Sequence, residues 1–581
     1  MRAFDAFGRR DYDAATMPEQ SSRHYLFPAL LVCFFFSGAA GLIDQVVWSK
    51  ALGLIFGHTA YAVATVLAVF MAGLASGSAW IGRQGERWNR PIALYGWLEL
   101  GVATTAAISL AGLAAVRATY VAAYPWAAGN GAILLAVRFI GAALVLFLPT
   151  FLMGGTLPVL VRGLTRSAAE LGSRLSRLYW VNTAGAVAGT FSAGFLFLPV
   201  LGLRRTLAIA VALNLAAGAL ALFLALEEPV SAASEGLRSP EIVEAPLSST
   251  PSRFFLICFA IVGATAMSYE IGWTRLLSTQ LGSSTYAFTL MLGTFLTGIV
   301  LGSALYERWS RDRAPGSTTF AVTQTLTALA ALAFLVFFTH LIEVLPPILR
   351  ATHESFRGLV LAQFVTSALA MLPTAVVFGF NFPAVAVLIA GPLSSSESGA
   401  GAAVGRAYAW NTLGAIAGAI AAGFWLMPRL GSFHLLAGTA GVNLALAGTI
   451  SLASAQRLPW KIFAVAGNLL LLVAAAFVGF SNYFYDPAVA SFNTVMYWNL
   501  YDRPLTLREN AHTLDIVYFR DGLNANISVA RTGDYMALRT NGKVDASNHD
   551  ATTQLLLGHL AALAHPPRRV LLVGFGSGMT A

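Results

Sequence analysis

Apolar and polar positions along this chain fall into long blocks instead of short alternations. Apolar stretches of roughly 20 residues, long enough to cross a bilayer as a helix, lie near 26–47, 58–82, 92–116, 132–160, 179–201 and 205–226. A second set follows near 254–273, 284–306, 319–342, 358–390, 408–427 and 432–454, and a last one at Trp460–Phe480. The pattern therefore predicts about thirteen membrane crossings. From Ser481 onward the texture changes. Leu514–Gly522, Ala525–Arg531 and Tyr535–Gly542 read as short strands separated by Asp-Gly and Thr-Gly-Asp turns. Residues 550–563 read as a helix, and Val570–Val573 as an apolar strand running into Gly574-Phe575-Gly576-Ser577-Gly578.

The membrane region is duplicated. Cys33–Arg83 and Cys258–Arg308 align without a gap, with Gly38, Trp48, Gly73, Gly77 and Arg83 recurring as Gly263, Trp273, Gly298, Gly302 and Arg308. Each copy carries a GxxxG spacing that permits close helix approach. Arg177–Gly202 and Arg406–Gly431 repeat as well, pairing Tyr179, Asn182 and Pro199 with Tyr408, Asn411 and Pro428. The two Asn side chains are expected to brace helices. An even number of crossings per copy leaves both halves in one orientation, as in parallel-repeat transporters.

The expected fold is a mostly α polytopic bundle of two parallel six-helix repeats plus one further span. A small β-stranded region and the start of a Rossmann-like domain would follow. The expected divisions are a polar tail (1–24), the first repeat (25–226), a Ser/Pro-rich linker (227–253), the second repeat (254–455), the added span (456–481), the β region with its helix (482–568) and the Rossmann-like start (569–581).

Composition supports the membrane assignment, at 57% hydrophobic and 11% charged residues against the roughly 25% charged of soluble domains. The formal charge of +9 comes mostly from short loops between spans, so it signals membrane orientation and not nucleic-acid binding. The bias puts the tail and linker in the cytoplasm of a multi-pass cell-membrane protein. It leaves the side of the C-terminal region undecided. Cys33 and Cys258 are equivalent positions inside apolar helices and imply no disulfide framework.

Candidate chemistry within the spans is sparse. The segments Pro149–Pro158 and Pro373–Pro383 interrupt long apolar runs with proline and glycine, so breaks or kinks are expected there. Matched breaks are the usual pointer to a transporter site, which makes Gly154, Gly155, Thr156, Gly379 and Asn381 candidates to line a central cavity; the alternative is that the kinks only shape packing. Asp44, Glu99, Arg138 and Glu270 are ionisable residues inside spans and functional candidates on that ground. Asp44 and the Tyr269-Glu270 pair stand three or four residues before Trp48 and Trp273, which suggests a helix end at the membrane interface. His58, His340 and His434 show no metal-ligand spacing.

The stretch from Asn541 to Gly578, with its NG turn, helix, His-Pro loop and strand leading to GxGxG, resembles the spermidine synthase (polyamine aminopropyltransferase) family. The duplicated region with SGAAGLIDQVVW looks like the membrane half of membrane-bound spermidine synthase-like proteins, described as fused to a major-facilitator-like region. The resemblance implies that Gly574, Gly576 and Gly578 hold decarboxylated S-adenosylmethionine or a related adenosyl donor, and that Gln554 lines the active site. It implies a transferase acting on an amine in an intact parent, with the acidic residues of the site beyond Ala581, and the present chain, with that domain incomplete, is expected to be inactive and to bind no cofactor. Thr553, Leu555 and Ser577 depart from the family pattern. The alternative expectation is a major-facilitator-like transporter of a small metabolite, such as a polyamine, with a non-catalytic regulatory soluble domain.

Overall fold

The computed structural model describes residues 19–57, 60–127, 129–165, 168–227, 252–282, 284–352, 355–390, 400–454, 456–481, 485–497, 506–522, 525–564 and 569. Helices α1 (Glu19–Phe56), α2 (Ala60–Gln84), α3 (Pro91–Ala127), α4 (Gly131–Leu164), α5 (Ala168–Ser192) and α6 (Leu198–Leu224) form the N-terminal half. The C-terminal half comprises α7 (Ser252–Leu281), α8 (Thr285–Trp309), α9 (Ser317–Thr339), α10 (Leu341–Ala351), α11 (Phe356–Ala390), α12 (Ala400–Ile420), α13 (Met427–Leu430) and α14 (Ser432–Ala453). Helix α15 (Leu458–Phe480) follows and packs on α14 with most of its surface exposed.

Among the described residues twelve helical stretches are long and apolar enough to cross a membrane, and one of them, Glu170–Leu224, is 55 residues long. At a rise of 1.5 Å per residue it would reach about 80 Å, more than twice the hydrocarbon thickness. It folds back at Gly202, whose φ of 72° a side-chain-bearing residue rarely adopts. The two legs both pack along α1, which recovers the thirteen crossings read from the pattern. Gly431, the repeat of Gly202, makes the same turn with φ 80° between α13 and α14. A π-helical turn precedes each reversal, Ala193–Phe197 and Ala421–Leu426. Short α10, with Leu341, Ile342, Leu345 and Leu349 buried, was not visible in the apolar pattern.

The glycine spacings act as expected within each half. A Cβ on Gly77 would lie 1.8 Å from the Phe151 carbonyl oxygen, and one on Gly302 1.9 Å from that of Val376. Only glycine lets α2 meet α4, and α8 meet α11, this closely. Asn182 donates to the Phe34 carbonyl at 2.9 Å and Asn411 to that of Phe259 at 3.1 Å, equivalent braces in the two copies.

The expected breaks at Pro149–Pro158 and Pro373–Pro383 are absent. Both α4 and α11 run continuously through their prolines. The glycines there are used for contact: a Cβ at Gly154 would meet the Leu74 oxygen at 2.2 Å, and one at Gly379 the Ile299 oxygen at 2.2 Å. Tight packing against a neighbour holds a proline-containing membrane helix together.

After α15 come α16 (Pro487–Ala490), α17 (Thr494–Tyr497) and α18 (Leu507–His512), then an antiparallel meander of β1 (Asp515–Asp521), β2 (Asn526–Thr532), β3 (Tyr535–Thr540) and β4 (Lys543–Ser547), and finally α19 (Ala551–Ala564). The strand β4 was not anticipated. Gln280 at the end of α7 donates to the Val489 and Phe492 carbonyls, both at 3.2 Å, and Asp521 accepts from the Ser432 amide at 2.9 Å, at the N-terminus of α14. The sheet thus docks on the face where α7 ends and α14 begins. By alternation of the helices, this is opposite to the face of Arg83, Arg87, Arg90, Arg308, Arg311 and Arg313.

Candidate functional site

The halves meet chiefly along two helix pairs related by the internal repeat, α2 with α12 and α5 with α8, flanked by smaller contacts of α4 with α12 and α5 with α11. In the first, small residues bring backbones together: a Cβ on Gly405 would lie 2.5 Å from the Ser78 oxygen. In the second, Glu307 is buried and accepts from Arg177 Nε and Trp180 Nε1, both at 2.8 Å, with a second guanidinium nitrogen of Arg177 on the same carboxylate. Beside it Tyr179 stacks on Phe382 at 4.4 Å, and Tyr408, the repeat of Tyr179, meets the same ring edge-on at 5.8 Å. At the other end of α5 and α8, Phe195 stacks on Tyr286 at 5.3 Å. The seam is therefore closed at both ends by contacts between side chains of opposite halves. No spacing signal in the sequence marked the Arg177–Glu307 pair.

The acids divide between the seam and the interiors. Asp44 is fully buried, and neither carboxylate oxygen has a hydrogen-bond partner among the described residues. The expected interfacial helix end is thus corrected. Helix α1 continues to Phe56, and Trp48 is fully buried with its indole N–H on Ser109 of α3 at 2.9 Å. Trp273 is equally buried, packed edge-on to Phe334. Glu99 is 1% exposed, lies against Ser37 and Tyr95, and leaves Oε1 unpartnered. Glu270 is half-buried, as is its repeat position Gln45.

The cavity candidates sit elsewhere than expected. Gly154 and Gly155 face α2, against Leu74 and Ile81, and Gly379 faces α8, so these three pack within their own halves. Thr156 donates to the Met153 carbonyl at 2.8 Å in its own helix, and Asn381 accepts from Thr323 of α9 at 3.0 Å. Gln554 lies half-buried in α19. Gly574, Gly576 and Gly578, with the strand before them, lie outside the described residues, as do most of the tail and linker.

Outside the spans, Arg508 of α18, in the segment leading into the sheet, holds Glu343 of α10 at 2.5 Å and also reaches the Thr339 carbonyl. Partial burial pushes the Glu343 carboxyl up, but the hydrogen bonds and charges of Arg508 and His340 outweigh it. The group ends below the ordinary glutamate value.

No family model matches the chain and no curated protein matches it. Among solved structures it is similar to a bacterial homologue of the iron transporter ferroportin in an outward-facing state. That match has TM-score 0.47 and 15% identity, over 74% of this chain and 100% of that one. It is also similar to the nucleoside transporter NupG (0.43, 12% identity, 74% and 100% covered) and to the E. coli fucose:proton symporter FucP (0.40, 15%, 76% and 98%). Likeness this distant carries no argument about substrate. The expected transferase is corrected: these solved structures are transporters, and neither an aminopropyltransferase nor a fusion to a spermidine synthase-like domain finds support in the comparisons. The chain is a multi-pass, mostly helical membrane protein with a small C-terminal sheet.

Proposed function

We propose that this protein moves a small metabolite across the membrane by alternating access between its two halves. The observation that carries the reading is the seam. Two repeat-related helix pairs, α2–α12 and α5–α8, carry most of the contact between the halves, with the equally repeat-related α4–α12 and α5–α11 contacts beside them. A seam of that form can rock about its centre while each half stays rigid. Helices α1 and α7 do not pack closely on each other, and each presents a half-buried polar group, Gln45 and Glu270, at the same repeat position. These line the path, with Tyr179, Phe382 and Tyr408 as its inner closure. The positive-inside rule puts the arginine-rich face in the cytoplasm and the sheet outside, where it serves as a regulatory element tied to the C-terminal half.

The test is uptake by proteoliposomes containing the full chain, against a panel of labelled small metabolites that includes polyamines. Spin labels at Arg83 and Arg308, exposed equivalents at the inner ends of α2 and α8, report the separation of the halves. The expected result is uptake of at least one compound above protein-free vesicles and two populations of inner-face distance. No uptake, with one fixed distance in every condition, overturns the reading.

A further inference from the structure

Helix α15 stands outside the duplicated bundle. It packs on α14 and more lightly on α9, and most of its residues are exposed. Between the three helices runs a groove of about 270 Å³, walled by Ala321, Val322 and Leu326 of α9 and by Phe463, Ala464 and Leu471 of α15. Val322, Leu326 and Phe463 are exposed at its rim, so it opens on the surface that faces lipid. At its deep end Asn468 accepts from Thr325 Oγ1 at 2.9 Å, which ties α15 to α9.

The groove has a direction. Helix α8 ends at the arginine-rich face, so α9 begins there, α14 ends there and α15 begins there. From Thr318 to Leu326 the α9 wall rises by about 12 Å, most of the depth of one leaflet in a core about 30 Å thick. At the mouth Gln456 donates to Thr318 Oγ1 at 2.7 Å. Lys461 lies one helical turn before Ala464 and two before Asn468, which puts it on the groove-lining face of α15. Its ammonium leans across to the Leu452 carbonyl of α14 at 3.0 Å, and its remaining N–H donors can hold a second acceptor. Arg457, the exposed N-cap residue of α15, falls two turns before Ala464 on the same face.

We propose that this groove is a specific site for an anionic phospholipid. One acyl chain lies between α9, α14 and α15, and the phosphate is held by Lys461 and Arg457. Apolar walls about one leaflet deep suit a single chain, and basic side chains at the membrane surface attract acidic headgroups. The lysine stem runs along the apolar wall while its ammonium stays at the interface. The bound lipid clamps the added span onto the C-terminal half; among the described residues the N-terminal half has no counterpart of α15. The site is independent of the transport reading.

The full chain is placed in nanodiscs of phosphatidylcholine, with or without an equal share of phosphatidylglycerol, released into mild detergent and weighed intact by native mass spectrometry. A single phosphatidylglycerol is expected to stay bound while phosphatidylcholine is lost. The melting temperature should be about 3 °C or more higher in the mixed discs. Arg457→Gln with Lys461→Gln should lower retention about tenfold or more, whereas Arg83→Gln, a cation of the same face in the N-terminal half, should not. Gly467→Leu fills the groove without a clash, since a Cβ there meets nothing within 4 Å, and should abolish retention while the chain still folds. Wild-type selectivity needs no variant and decides the matter should one fail to fold. Equal retention of the two lipids overturns the proposal. So does retention that survives Gly467→Leu, an equal loss on Arg83→Gln, or a dimer that retains no lipid.

Discussion

The two halves have nearly the same scaffold and opposite interior chemistry. In both, glycines let α2 meet α4 and α8 meet α11, an asparagine braces the first helix, and a positive-φ glycine turns the chain at Gly202 and Gly431. Inside that frame the C-terminal half has Tyr269, Gln324 and Asn443 in mutual hydrogen bonds, whereas the N-terminal half has Asp44, Glu99 and Asn214 with unpartnered atoms. The Trp–α3 contact differs in the reverse sense: Trp48 has Ser109 for its N–H, and Trp273 has a phenyl ring and no acceptor. A duplicated scaffold tolerates such divergence because backbone packing sets the fold while single buried side chains set the chemistry. One copy can thus hold a closed polar network where the other does not.

The comparison is broken most severely at the shared glycines. Gly77→Val and Gly302→Val each drive a side chain into a carbonyl 1.8–1.9 Å from the new Cβ; overpacking costs about 1–3 kcal/mol or more. Both variants should lose folded yield to the same degree in detergent melting, and Gly438→Ala, with nothing within 4 Å, should melt as wild type. A large difference between the first two would end the claim of equivalent scaffolds.

Next in size is the asparagine pair. Asn443→Ala removes partners from Tyr269, Thr265 and Gln324 and should destabilise by about 1–3 kcal/mol. Asn214→Ala removes an already unpartnered donor and should change the melting temperature much less. Equal losses would mean that the N-terminal trio is as well satisfied as its repeat.

The seam supplies a smaller effect. Arg177→Ala leaves the buried Glu307 carboxylate with Trp180 as its remaining side-chain donor among the described residues; removal of one partner of a fully buried pair costs about 3–5 kcal/mol, less here because the Arg177 side chain is 37% exposed. The expected outcome is a shift of the Arg83–Arg308 spin-label distances toward the longer population. Since Gly82 stands where Glu307 has its acid, substitution of Arg406 should not do the same.

The smallest effect is at the docked sheet. Because the Glu343 carboxyl is held below its ordinary value, its contribution to docking is present above the unfolded-state pKa and is lost as pH falls through the folded-state value. Hydrogen exchange of β1 and β2 should rise modestly below that point, and Glu343→Gln should remove the dependence.

Much of this was readable in the chain. Long apolar blocks required helices, because a membrane leaves no other partner for backbone groups. The ungapped repeat implied two alike halves. The proline-rich segments misled because local propensity was read without a neighbour: α2 and α8 press on Gly154 and Gly379 and keep those helices continuous. Trp48 and Trp273 misled in a similar way, since only the extension of α1 and α7 beyond them shows that they point inward.

By itself the sequence determined the class of protein, the duplication, most of the strands of the C-terminal region and the GxxxG spacings that allow close helix approach, all of which depend on local chain chemistry or on the bilayer as solvent. The tertiary structure alone decided which residues far apart in the chain meet: Arg177 with Glu307, Tyr179 with Tyr408 around Phe382, Asp521 with the start of α14, and Asp44 with no hydrogen-bond partner among the described residues. Hydrogen bonds and charges act over a few ångströms. Their partners are therefore set by how the helices pack, which no spacing along the chain records.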